Sequence, residues 1–185
     1  MADDAVAIEP MDLSELVRDE RAFRAWYDDA LPRVFGVVFD RCGGDRALAE
    51  EITQEAFVEA VRNRARFEGR ADSVTWVIGI ARHKLADHFR IAARDERRRL
   101  RLAPDVDEDE PWGPLETRDD VVRALGRLPE SQRAVLCLRY LDDLPVADVA
   151  RVIGRSESAT ESLLSRARDG LRGALSRSEM EDGDG

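Results

Sequence analysis

The chain has 185 residues, 43% hydrophobic and 37% charged, with a formal net charge of −10. That supports one domain or two small ones, and no run is apolar for long enough to span a bilayer. The acidic start MADDAVAIEPMD lacks the basic and apolar regions of a secretion signal, so a cytoplasmic location is expected, with Cys42 and Cys137 as buried, reduced thiols.

Apolar residues recur at three and four rather than two, which predicts helices and almost no strand. A first helix is expected from about Asp19 to Ala30, and a second from Pro32 to about Arg41, stopped by Gly43-Gly44. Asp45 can cap a third helix ending near Asn63. Phe67–Asp72 reads as a loop, and Asp72 or Ser73 caps a long helix that passes Arg94 into Arg97-Arg98-Arg99. Ala103–Thr117, with three prolines and an acidic run, reads as a flexible linker. A helix over Val121–Arg127 and another begun by Pro129 follow.

Leu144–Leu171 then reads as two short helices joined by a tight turn. Val149 and Ala150 lead to Gly154, and Thr160, Leu163, Leu164, Ala167 and Leu171 follow at helical spacing. A small residue at 150 and a glycine four later allow a close crossing, the geometry of a helix-turn-helix whose second helix can enter the major groove. A short acidic tail from Ser178 is expected to be disordered.

An acidic chain is an odd reader of nucleic acid until its charge is mapped. Residues 1–20, 104–120 and 178–185 carry −6, −7 and −4, whereas 21–103 and 121–177 carry +4 and +3. The acid therefore sits in tails and linker, and the two candidate folded units are basic. The fold expected is all-α: two small helical domains, 19–100 and 119–177, joined by an acidic flexible linker over 101–118, with tails at 1–18 and 178–185.

On the third helix Glu51 and Glu55 share a face with Gln54 beside it, a surface suited to a basic protein partner or simply to solvent. On the fourth, Val77, Ala81, Leu85, His88 and Ala92 form one side. His83, Asp87, Arg90, Arg94 and Arg97 form the other, near Phe67, Arg70 and Trp76. Arginines beside aromatics suit strand-separated DNA, although Trp76 taken alone favours a core position. His83, Asp87 and His88 do not share one face and have no further ligand near in sequence, so no metal site is expected. No nucleophile–base set or phosphate loop appears; no catalysis and no cofactor are expected.

Together these blocks resemble bacterial RNA polymerase sigma factors of the extracytoplasmic-function group. AEEITQEAF is similar to that family's core-binding segment Ala-Glu-Asp-x-x-Gln-Glu-x-Phe, and TWVIGIARHKLADHFR to its Trp-Leu-x-x-Ile-Ala-Arg-Asn-x-x-x-Asp-x-x-Arg helix. LGRLPESQRAVLCLRYLDDLPVADVARVIG resembles its Leu-Pro-x-x-x-Arg-x-Val-x-x-Leu-Arg-Tyr pattern before the helix-turn-helix. The resemblance implies that Glu50, Glu51, Gln54, Glu55 and Phe57 dock on the clamp helices of core RNA polymerase. It implies −10 promoter DNA at Phe67, Arg70, Ser73, Trp76, His83, Asp87, Arg90 and Arg94, with an unstacked base held by the 67–73 loop. It implies −35 duplex at Arg155, Ser156, Glu157, Ser158, Glu161, Ser162, Ser165, Arg166 and Arg168, with the second domain near the polymerase flap. The acidic linker would thread the polymerase's basic channel, and an anti-sigma factor is a common partner of the group.

Three positions depart from the pattern. The family's Asn is His83, its recognition-helix Lys is Glu161, and an Arg there is Leu163. Glu161 repels phosphate but can accept from a cytosine amino group; Leu163 is open to a core role or a protein contact. The competing readings are a free-standing helix-turn-helix regulator and a polymerase-binding module that does not support transcription.

Overall fold

The computed structural model describes residues 13–99 and 117–182, which leaves the first twelve residues and most of the acidic linker outside. The described residues form helices and irregular segments, with no strand among them. A single turn, α1 (Leu13–Leu16), precedes α2 (Glu20–Arg41), α3 (Arg46–Arg62) and α4 (Ser73–Arg99). A 3-10 turn at Arg64–Arg66 leads α3 into the 67–72 loop.

α2 is one helix where two were expected. Asp19 caps it by accepting from the Arg21 and Ala22 amides at 2.9 and 3.1 Å, and Pro32 lies inside it. Proline removes one backbone hydrogen bond but its fixed φ is helical. Trp26, Ala30, Val34 and Val38 are buried on both sides of it at four-residue spacing, so one core holds both halves in line. α3 has the expected cap, with the Asp45 carboxylate accepting from the Leu48 amide at 3.1 Å. α4 begins where Asp72 accepts from the Thr75 amide at 3.3 Å. Its core face is Val77, Ala81, Leu85, Phe89 and Ala93. Phe89 and Ala93 thus take the places expected for His88 and Ala92, because His88 is turned toward Glu130 of the second unit, 2.5 Å away.

The second unit contains α5 (Arg118–Gly126), α6 (Glu130–Leu136), α7 (Val146–Ile153) and α8 (Glu157–Asp182). α6 widens into a π-helical turn at Cys137–Leu141, and Asp143 just beyond it has φ +53°. Gly154, at φ +66°, ends α7 in the left-handed conformation that suits a residue without Cβ. Val149, Ala150 and Ile153 pack with Thr160, Leu163, Leu164, Ala167 and Leu171. The Thr160 hydroxyl is buried but satisfied, donating to the Ser156 carbonyl at 2.9 Å. Helical backbone runs on to Asp182, past the break expected at Ser178.

The two units do not stand apart. α4 packs against α6 and α7, and the buried apolar residues of both units form one cluster. At the end of α2 the backbone of Gly43 lies directly on that of Gly126; a Cβ on Gly43 would come 2.6 Å from the Gly126 nitrogen. Cys42 and Cys137 are buried and unbridged, and burial pushes both thiols up to about 12.

Candidate protein and nucleic-acid interfaces

Three surfaces carry the residues singled out from sequence. The first is the outer face of α3. Ala49, Ile52, Ala56 and Ala60 turn inward, which leaves Glu50, Glu51, Gln54 and Glu55 exposed. Phe57 does not join them: at 4% exposure it is core, edge-on to Trp26 and Tyr27. Its place in the motif is structural, because the helical repeat that exposes 54 and 55 carries 57 inside. Arg46 donates to Glu50 at 2.8 Å, and Lys84 of α4 lies 3.6 Å from Glu55 and 3.9 Å from Glu59.

Two apolar grooves run along the α2–α3 seam on one side of this acidic stripe. One, of about 380 Å³, is lined by Tyr27, Leu31, Phe35 and Thr53, and the other, of about 460 Å³, by Phe23, Tyr27, Val58 and Val61. The α2 aromatics and half-exposed Val58 were missed from sequence. The signal available was a second apolar stripe on α2 (Phe23, Tyr27, Leu31 and Phe35) beside the core stripe. An acidic ridge beside apolar grooves fits a basic protein surface with apolar knobs.

The second surface joins the 67–72 loop to α4. Phe67 and Trp76 are half-buried, with ring centres 5.3 Å apart, and together form an aromatic floor. The loop turns at Gly69, φ +67°, and Arg70 is exposed and paired with Glu68. His83, Asp87, Arg90 and Arg94 are exposed along α4, with Asp87 2.9 Å from Arg90. Ile91, 58% exposed, sits next to Arg90 and was not anticipated; nor were exposed Arg62, Arg64 and Arg66 at the loop's entrance. Ser73 differs from expectation. It is 4% exposed, and its hydroxyl accepts from the buried Trp26 indole, so it anchors α4 instead of facing a ligand.

The third surface is the start of α8. Ser156, Glu157, Ser158 and Glu161 are exposed, and Arg155, Ser162, Arg166 and Arg168 are half-buried. The Ser156 hydroxyl accepts from the Ala159 amide at 3.3 Å, and Ser162 donates back to the Ser158 carbonyl at 3.1 Å. Ser165, at 5% exposure, is buried and faces no groove. Leu163, at 3%, is core, which decides between its two readings. The exposed start of α8 therefore carries two acids, and the nearby arginines flank it.

Residues 26–95 match the family description "Sigma-70 region 2", and residues 118–170 match "Sigma-70, region 4". The chain is 31% identical over 175 residues to the ECF RNA polymerase sigma factor SigK of Mycobacterium ulcerans, covering 90% of this chain and 92% of that one. It is 34% identical over 157 residues to the ECF RNA polymerase sigma factor BldN of Streptomyces coelicolor, covering 79% of this chain and 57% of that one. This chain thus spans a little over half of BldN's length. A solved sigma factor, RpoE of Bartonella quintana bound to the anti-sigma factor NepR, matches at 21% identity and a TM-score of 0.46, covering 84% and 98% of the two chains.

Proposed function

The chain belongs to the extracytoplasmic-function group of RNA polymerase sigma factors, and from that premise we propose which surface does which part of the work. The α3 ridge of Glu50, Glu51, Gln54 and Glu55, with its apolar grooves, docks on the clamp helices of core polymerase. The Phe67–Trp76 floor receives an unstacked base of the −10 element. His83, Arg90 and Arg94 then follow the separated strand, where stacking and phosphate neutralisation need no duplex. The exposed start of α8 reads the −35 element in the major groove, with Arg155, Arg166 and Arg168 on phosphates and Glu161 as acceptor for a cytosine amino group.

The observation that carries this reading is the division of labour between α3 and α4. The exposed face of α3 is acidic. The exposed face of α4, one seam away across Lys84, is basic and begins at an aromatic pair. One face suits a protein and the other an opened polyanion. The protein supplies specificity and leaves bond-making to the polymerase, so it needs no catalytic set and no cofactor. It acts in the cytoplasm, where promoter and polymerase are, and an anti-sigma protein is a further partner of the kind the group uses.

Run-off transcription with purified core polymerase and fragmented genomic DNA tests the reading. Discrete starts that require the chain are expected. Stable binding to core without any start would replace it with a non-transcribing polymerase-binding module.

A further inference from the structure

α1 packs on α2 and on the 3-10 turn at Arg64–Arg66, and Leu13, 2% exposed, pins it there. The chain enters the fold at Leu13, so residues 1–12 are attached close to Phe23, Val61 and Arg62. Those three line one end of the grooves between α2 and α3. We propose that residues 3–12 seat in these grooves and cover part of the core-docking face, as a tethered competitor of polymerase. The consequence for polymerase rests on the sigma reading above; the contact itself does not.

Segment and groove match in the order of their chemistry. Residues 3–12 run DDAVAIEPMD: acid, a short apolar run, then acid again. The grooves run from Arg62 through an apolar middle of Tyr27, Leu31 and Phe35 to Arg46. Chain direction agrees, because entry at Leu13 sets Glu9 and Asp12 toward Arg62 and carries Asp3 and Asp4 toward Arg46. α3 is 17 residues from Arg46 to Arg62, about 25 Å of helix. An extended chain from Asp3 to Leu13 reaches about 34 Å, enough to cover it. Arg62 is exposed and has no carboxylate partner among the described residues. Arg46 donates through Nε to Glu50 at 2.8 Å, which leaves its Nη groups for a second carboxylate. Thr53, 1% exposed, lines the groove with a hydroxyl that has no hydrogen-bond partner among the described residues. A carbonyl of an extended segment laid along the groove supplies one. Glu51 and Glu55 lie on the Lys84 side of α3, away from the segment's acids.

Tethering makes a weak contact sufficient. At an effective concentration of about 1 mM, an intrinsic dissociation constant of about 0.1 mM covers the groove about nine-tenths of the time. Two buried aliphatic side chains, Val6 and Ile8, with exposed ion pairs at each end, are a contact of that modest size. Gln54 lines both grooves and belongs to the docking ridge, so a seated segment hides it. Polymerase must displace the segment, and its apparent affinity falls by the fraction of chains that are open. A basic partner also engages Glu51 and Glu55, which an acidic segment cannot, so it prevails at sufficient concentration. The segment therefore sets a threshold for core binding and does not abolish it.

The test uses the full chain. Benzoylphenylalanine is placed at position 8 and photolysed, and the adducts are mapped by mass spectrometry. They are expected on Phe23, Tyr27, Val58 or Val61. Arg62→Glu should remove these adducts, and adding Glu9→Arg with Asp12→Arg should bring them back, which mere nearness to the tether would not do. A chain carrying Val6→Asp and Ile8→Asp leaves every described residue unchanged, so its helicity and melting should equal wild type. Core polymerase should bind that chain about ten-fold tighter by fluorescence anisotropy, the factor lost when about a tenth of chains are open. Adducts elsewhere, no adducts, or adducts indifferent to Arg62→Glu would overturn the contact. Equal, measurable core affinity of the wild-type and Val6→Asp, Ile8→Asp chains would overturn the competition. Groove adducts with no binding of core to any chain would uphold the contact and overturn the sigma reading instead.

Discussion

The indole N–H of Trp26, in the middle of α2, donates to the hydroxyl of Ser73, the first residue of α4, at 2.9 Å across 47 residues of chain. The bond is buried, so each group is the other's substitute for water. It fixes where α4 starts, and with it the loop that ends at Asp72. Replacing Ser73 by alanine leaves the indole N–H unpaired in the core, at a cost of about 1–3 kcal/mol. Urea denaturation should show that loss in the midpoint with the slope unchanged.

The α3 ridge is separable from folding. Glu51→Lys or Gln54→Ala alters an exposed position, so thermal melting should stay within a degree or two of wild type. Affinity for core polymerase, measured by fluorescence anisotropy, should fall by roughly ten-fold, about 1.4 kcal/mol. Unchanged affinity in both would remove this face as the docking surface.

At the aromatic floor, Phe67→Ala removes a stacking partner worth about 1–3 kcal/mol per base. Run-off yield from an ordinary duplex promoter should fall in proportion, as should binding to a single-stranded −10 oligonucleotide. Binding to core should not move. Arg94→Ala instead acts through phosphate, and should reduce the dependence of log K on log salt by about 0.7 for a single strand.

Glu161→Lys reverses the exposed charge at the start of α8. Generic duplex should bind more tightly, and the salt dependence should steepen by about 0.9 for one added phosphate contact. Discrimination at the base pair Glu161 faces should weaken at the same time, as a promoter-variant library would show. A charge that only repels would give the first effect without the second.

The buried thiols predict an alkaline limit. Both Cys42 and Cys137 titrate near 12 in the folded chain because burial disfavours the thiolate, against about 9 when exposed. The folded state therefore holds its protons longer, and the stability this gives is complete below pH 9 and lost as pH rises toward 12. Urea midpoints should drop between pH 8.5 and 10.5 in the wild type, and drop less in Cys42→Ala and Cys137→Ala.

Much of this was legible in the sequence because it is local. Asp45 and Gly154 act through backbone groups a few residues away, and the acidic face of α3 follows from helical period alone. What failed was decided at long range. Pro32 suits a helix start, but the shared core of Trp26 and Val38 keeps the helix whole. The resemblance assigns Ser73 and Ser165 to promoter DNA, whereas packing from other elements buries both. Helical spacing puts His88 on the apolar side, and nothing in its neighbourhood reveals Glu130, 42 residues away. The inter-unit seam left no local mark at all: Asp142 is one of two adjacent acids in a turn, and its partners are Arg41 and Arg82.

The crossing of Gly43 and Gly126 constrains how this sequence can drift. Each glycine's neighbour in space is the other's backbone, and no side chain lies between them to shrink in compensation. Neither position can gain even one carbon while the units stay packed, so a change at either should travel with loss of the whole seam. Among descendants of this chain, the two glycines and Asp142 are expected to persist together or to disappear together.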